Sequence, residues 1–340
     1  MRPIYKIIIS LIIILAFAGP VYFFFFRGGA DTAEEQNMAA ERLALVLNEP
    51  VFSPALSYDG GTIRFFDSAG KLFNLPLEEG AQKKEFPIPD IAGFREALWQ
   101  PGGSSFIVRQ NIEGHARYQF YDAEFRNLVD YPANLAKPKF VFGDSIVYEW
   151  SGEDGGRTLK VSNFISTEFR SVAELFRPDY RIAASPAKNE AVLYSENQFA
   201  PSKMFLVNLD TGSFRDLSVP LSVQGASFSP DGKYLLVARW GEQNQSLPAF
   251  YLQNLETLDI FVPDMFGNIE QAVWSEDGRE LYIADGRGIK KLDIASNQIL
   301  ALYEFGEGED FEPADLLLHP SRESLFFIDK KTGYLYRIRL

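Results

Sequence analysis

The chain contains no cysteine. Disulfides, thiolate metal sites, cysteine nucleophiles and a lipid-modified cysteine anchor are therefore excluded. Histidine is nearly as scarce, with only His115 and His319. A zinc or iron centre needing two or three imidazoles is not expected, and no metal or other cofactor is assigned. There is no Gly-x-Ser-x-Gly elbow, and no segment of hydrolase size beside the repeats described below. Basic charge is also short. Lys and Arg number 33 against 46 Asp and Glu, for a formal net charge of −13. Arg2, Lys6 and Arg27 are the only charged residues among the first 27, so the remainder is more acidic still. Such a chain repels phosphate backbones and lacks a basic patch for anionic lipid. Nucleic acid is not an expected partner.

What is present begins with one apolar stretch. Ile7 to Phe26 is apolar apart from Ser10 and Tyr22, with Gly19-Pro20 inside it. Twenty residues at about 1.5 Å rise match a hydrocarbon thickness of ~30 Å. Arg2 and Lys6 lie before the stretch and Arg27 after it, which places the N-terminus in the cytoplasm. The competing reading is a signal peptide cleaved after Ala18, since Ala16-Phe17-Ala18 fits the small-x-small pattern. Cleavage there would leave Phe23 to Phe26 near a water-exposed terminus, so the uncleaved anchor is preferred. The expected organisation is a cytoplasmic tip over residues 1–6, a transmembrane signal-anchor helix over 7–26 and a linker over 27–41. The rest lies outside a bacterial cytoplasmic membrane.

Aromatic residues make up 14%, with 30 Phe and 15 Tyr, which favours strands over helices. The rest of the chain repeats itself. The clearest unit is Ala226-Ser227-Phe228-Ser229-Pro230-Asp231-Gly232-Lys233-Tyr234-Leu235-Leu236-Val237, which reads strand, tight turn, strand. Related units surround Asp59, Gly102, Gly143, Ala187, Asp277 and Ser321, spaced by about 44 residues. Asp and Gly occupy the turns for backbone reasons, Asp as a side-chain cap and Gly for positive φ. Asp59, Asp231 and Asp277 are read as structural, and so is His319, which stands in the slot of Ser229. Each unit continues into a second hairpin, as at Asp210-Thr211-Gly212, making four strands per unit. The last unit lacks one outer strand, and Arg42 to Leu47 is free to supply it. The expected fold is therefore all-β: one seven-bladed propeller of four-stranded antiparallel blades over 42–340, preceded by the membrane helix.

The segment Ser229-Pro230-Asp231-Gly232-Lys233 resembles the TolB-type and WD-type β-propeller repeat families. The resemblance spans roughly residues 42 to 340 and implies fold rather than function. The Trp-Asp and Gly-His pairs of the strict WD repeat are missing, as is the kelch double glycine.

In such blades, the connections between second and third strands share a face with those between blades. Blades 2 to 5 are expected to carry long connections there, over 110–117, 151–157, 196–202 and 241–248. These hold or adjoin the candidate binding residues His115, Arg117, Trp150, Phe199, Trp240 and Gln243, of types common in interface anchors. Trp150 and Trp240 could equally pack between blades. The leading functional expectation is a non-enzymatic scaffold, without catalytic residues, that binds a protein or an envelope polymer as a monomer or within a larger assembly. One alternative is a metal-dependent hydrolase or lactone-opening enzyme with inward carboxylates in the channel. Another is a structural subunit of a cell-surface assembly. The anchor has a direct check: N-terminal sequencing of the membrane-extracted protein should begin at Met1, and a chain starting at Gly19 would refute it.

Overall fold

The computed structural model describes residues 42–340 except 79, 103, 178, 197–202, 218–221, 241–248 and 307–308. The expected span at 7–26 and its linker lie outside the described residues. Among the described residues, no helix is long and apolar enough to cross a membrane.

Strand β1 (Leu43–Leu47) opens the described chain. Blade 1 is β2 (Phe52–Leu56), β3 (Thr62–Phe66), β4 (Leu72–Pro76) and β5 (Lys84–Phe86). Blade 2 is β6 (Phe94–Trp99), β7 (Phe106–Ile112), β8 (His115–Asp122) and β9 (Asn127–Asp130). Blade 3 is β10 (Leu135–Val141), β11 (Ser145–Ser151), β12 (Arg157–Asn163) and β13 (Phe169–Glu174). Blade 4 is β14 (Tyr180–Ala184), β15 (Glu190–Ser195), β16 (Met204–Asn208) and β17 (Phe214–Asp216). Blade 5 is β18 (Val223–Phe228), β19 (Tyr234–Arg239), β20 (Ala249–Asn254) and β21 (Ile260–Phe261). A 3-10 turn at Ile269–Gln271 leads into blade 6: β22 (Ala272–Trp274), β23 (Glu280–Ala284), β24 (Gly288–Asp293) and β25 (Gln298–Glu304). The seventh sheet has the order β1-β28-β27-β26, with β26 (Pro313–Leu318), β27 (Ser324–Asp329) and β28 (Leu335–Arg339). The expected seven four-stranded antiparallel blades are all there.

The chain divides into two units. Leu45–Ile338 with Leu340 form one. Of the other, residues 1–44 with Arg339, the described part is Arg42 to Ala44 and Arg339, where Arg42 Nε donates to the Arg339 carbonyl at 3.0 Å.

The second strands of blades 4 and 5 carry unbroken apolar runs: Ala191-Val192-Leu193-Tyr194 in β15 and Leu235-Leu236-Val237-Ala238 in β19 are all buried. A strand covered on both faces has no use for a polar alternate. Successive side chains go to opposite neighbours. Val192 and Tyr194 pack with Leu235, Val237 and Tyr251 of blade 5. Ala191 and Leu193 pack with Val141, Val147 and Leu159 of blade 3. Phe326, Ile328 and Leu335 of blade 7 pack with Ile63, Phe65 and Leu75 of blade 1, so the last blade meets the first.

The repeated turn is a hydrogen-bonded latch. Ser229 Oγ donates to Asp231 at 2.6 Å and accepts the Tyr234 N–H at 2.9 Å. Ser57 with Asp59 and Ser275 with Asp277 repeat it at 2.6 and 2.7 Å. Successive turns also interlock. Gly60 has φ +74°, and a Cβ there would lie 2.6 Å from His319 Nε2. His319 is thus wedged by shape, its Nδ1 hydrogen-bonded to Ser321 Oγ at 2.8 Å. Between blades 6 and 7, Arg322 reaches Asp277 at 2.7 Å and Glu280 at 2.9 Å.

The hydrogen bond from Ser275, then that from Arg322, hold the Asp277 carboxyl well below its ordinary 3.8. A carboxyl depressed in the folded state stabilises above its unfolded pKa and loses that contribution as pH falls below it. Asp277 is more than a third exposed, so solvent screening leaves about 1 kcal/mol. Asp277→Asn should therefore lower stability by about that amount at pH 7 and by much less at pH 2, read by urea unfolding at each pH. An equal loss at both pH values would show that the charge contributes nothing.

Candidate functional site

Seven inner strands line the bore, and every one starts on the face that carries the second-to-third-strand and between-blade connections. Residues early in these strands therefore sit at that mouth. Two cavities of about 830 Å³ and 560 Å³ open there and share Glu96, Ala97 and Leu98 of β6. Towards the opposite face the larger one is walled by Pro101, Phe140, Pro186 and Phe228. Its mouth is charged, with Glu96, Arg109, Lys137, Lys139, Arg181 and Glu196.

β-bulges build this mouth. Five inner strands carry a register shift: β2, β6, β10, β18 and β26. In three the extra residue is a non-glycine at positive φ: Ser53 at 48°, Lys137 at 54° and Asp315 at 48°. A bulge re-aims its side chain and bends the strand. Ser53 uses this to bind blade 2: its Oγ accepts from Ala97 N at 2.9 Å and its carbonyl from Trp99 Nε1 at 2.7 Å. Lys137 likewise binds blade 4, donating to the Tyr180 carbonyl at 2.7 Å. Lys137 also pairs at 2.6 Å with Glu149, a buried carboxylate that takes Arg157 as well. Asp315 faces the smaller cavity. The enclosing walls, with Glu270 beside it, raise its pKa above the usual carboxyl range.

In the larger cavity the ion pairs leave Lys139 over among the described residues. Arg109 holds Glu96 at 3.1 Å, and Arg181 holds Glu196 at 2.9 Å. Lys330 holds Glu270. Lys139 lines the larger cavity and, among the described residues, its amine has no hydrogen bond or ion pair. Burial lowers its pKa; Glu96 opposes that shift and Arg181 adds to it.

The residues expected to form the binding face lie elsewhere. The connection expected over 110–117 is a two-residue hairpin, Glu113 at φ 52° and Gly114 at φ 82°, between long strands. His115 and Arg117 are exposed on β8, alternating with Ala116 and Tyr118, which do line the cavity. Trp150 is half-buried in the packing between blades 2 and 3, with Lys160 Nζ 4.2 Å from its ring centroid. Trp240 is half-buried after β19, and its backbone N–H donates to the Ser222 carbonyl at 3.0 Å. Phe199 and Gln243 fall outside the described residues. Neither cavity is lined by His115, Arg117, Trp150 or Trp240. The sequence did hold a signal for the channel residues. Lys137-Pro138-Lys139 and Arg181 interrupt strands whose other neighbours are apolar, and a charge in an inner strand has only the bore to face.

No protein-family model matches the chain, and neither does any curated protein sequence. Solved structures do superpose on it. An oligogalacturonate lyase in complex with manganese aligns with TM-score 0.63 and 13% identity, over 87% of this chain and 90% of that one. An oligogalacturonate lyase from Vibrio parahaemolyticus gives 0.60 and 14%, over 87% and 91%. A β-propeller domain from Myceliophteria thermophila gives 0.57 and 10%, over 88% and 99%. These likenesses establish the fold. They also correct the expectation that the chain is not an enzyme. That expectation leaned on the lack of an appended catalytic domain, and two lyases whose chains align over nine-tenths of their length need no such domain. Among the described residues, no group of three or more His, Cys, Asp or Glu side chains is placed to hold a metal ion. The two histidines stand apart, one at a hairpin tip and one in a turn latch.

Proposed function

We propose that the propeller takes a carboxylate-bearing oligosaccharide into the cation-lined mouth of its channel and acts on it there as an enzyme. The observation that carries this reading is the Arg181 guanidinium lining the cavity together with Arg109 and Lys137. A chain with net charge −13 repels anions at large. Cations concentrated at one mouth therefore mark where an anion is wanted. Arginine suits a carboxylate because its planar fork donates two parallel hydrogen bonds. Tyr118, also in the lining, offers a ring for a sugar to rest on. The lyases that share the fold are named for an acidic oligosaccharide, which agrees with the charge of the mouth. With residues 7–26 as the anchor, the site faces the envelope side of a bacterial cytoplasmic membrane, where acidic polymers are met.

Calorimetry of the full chain in detergent, with oligogalacturonate and a neutral maltooligosaccharide of equal length, tests the proposal. The acidic ligand should bind, more weakly as salt rises, and the neutral one should not. Arg181→Ala should weaken binding by about tenfold or more, as expected for loss of a charge-assisted bidentate contact. Indifference to Arg181→Ala, or equal affinity for the two ligands, would remove the channel mouth as the site.

A further inference from the structure

The channel mouth contains two lysines two residues apart on β10, and their surroundings differ completely. Lys137 is held by Glu149 and by the Tyr180 carbonyl. Lys139 has neither, and the acids around it are already engaged. Glu96 on β6 is taken by Arg109 of β7, and Glu196 after β15 is taken by Arg181 of β14. The other ionisable groups in the lining are the phenols Tyr118 and Tyr194. Burial keeps Tyr194 protonated, raising its pKa. Lys139 therefore faces arginines and phenols, with the lining carboxylates Glu96 and Glu196 committed elsewhere. It is half-buried: bore water reaches it from one side and protein surrounds it on the others.

We propose that Lys139 is the proton acceptor of the channel site, an amine held uncharged in the mouth until it takes a proton from the bound ligand. The assignment rests on the reading above for the identity of that ligand. An ammonium placed among cations without a counter-ion is unstable relative to the free amine, and a desolvated lysine is a competent base near neutral pH. The downward direction of its pKa agrees. Arg181 would bind the ligand's carboxylate and neutralise its charge, which makes the hydrogen on the adjacent carbon removable. Lys139 Nζ takes that proton. The C–H electron pair forms a carbon–carbon double bond, the bond to the oxygen one carbon further on breaks, and that oxygen is protonated by water. The ammonium then returns its proton to the resulting hydroxide. No oxidant, reductant or further reactant is needed.

Site-resolved reductive methylation of the full chain with formaldehyde and a borane reductant, read by peptide mass spectrometry across pH, tests the assignment directly. Lys139 should be half-modified at a distinctly lower pH than exposed Lys84. In Arg181→Met that midpoint should move up, because a cation is removed and Glu196 is released to pair with Lys139. Lys139→Arg should keep oligogalacturonate binding within about threefold while abolishing formation of the unsaturated product. Modification of Lys139 at the same pH as Lys84, or turnover retained in Lys139→Arg, would overturn the assignment and leave anion binding intact. Early modification of Lys139, shifted by Arg181→Met, with no binding of oligogalacturonate would instead sink the ligand reading and support the acceptor.

Discussion

Each blade must bury both of its faces against the next, and this constraint governs where every polar group can go. A second strand such as β15 sends Val192 towards blade 5 and Leu193 towards blade 3. Its central positions leave no room for a charge, and where a second strand does bury one, as β11 does with Glu149, two cations must meet it. Polar chemistry is pushed to the turns, the outer strands and the bore. At the turns it is spent on the Ser–Asp latch, and between blades 6 and 7 on Arg322 with Asp277 and Glu280. The bore is then the one interior surface where a side chain can be enclosed by protein yet meet a ligand.

Bulges turn that opportunity into a site. An ideal inner strand alternates between its two neighbouring blades, and an extra residue breaks the alternation and turns a side chain towards the axis. Ser53 and Lys137 spend the positive-φ position on stitching one blade to the next. The buried Glu149 fixes Lys137 further and draws in Arg157. A buried carboxylate shared by two cations is held in place by the penalty for leaving any member unpaired. One consequence is that Lys137 is unavailable to neutralise the mouth. With Glu96 and Glu196 held by arginines, Lys139 has no counter-ion in the larger cavity, and the same pairings that build the wall leave its ammonium form unsupported.

The architecture was readable because it is local and repeated. Ser229-Pro230-Asp231-Gly232 specifies its own turn through a hydroxyl, a carboxylate and a glycine at φ 68°, and the pattern recurs at blade spacing. His319 fell in register with those turns and has a turn's task. The face chosen for binding was read from spacing between apolar runs, and spacing misled at blade 2. There the residues from Asn111 to Arg117 belong to the ends of two long strands joined by Glu113-Gly114, not to a loop. Trp150, read equally as an anchor or as packing between blades, is half-buried between blades 2 and 3 beneath Lys160. Lys139 and Arg181 were passed over because nothing in the local sequence marks which basic residue of an inner strand pairs within its own blade, as Arg181 does with Glu196, and which does not.

The central claim is that ligand recognition sits at the charged mouth of the bore rather than on the loop tips or the blade edges. A structure of the full chain determined with oligogalacturonate bound tests it most directly. The account predicts a ligand carboxylate on the Arg181 guanidinium, with Lys139 Nζ facing the carbon beside it and sugar density entering the cavity bounded by Glu96 and Phe140. Ligand density confined to the outer strands or to the hairpin tip at Glu113-Gly114, with the bore filled by water alone, would contradict it.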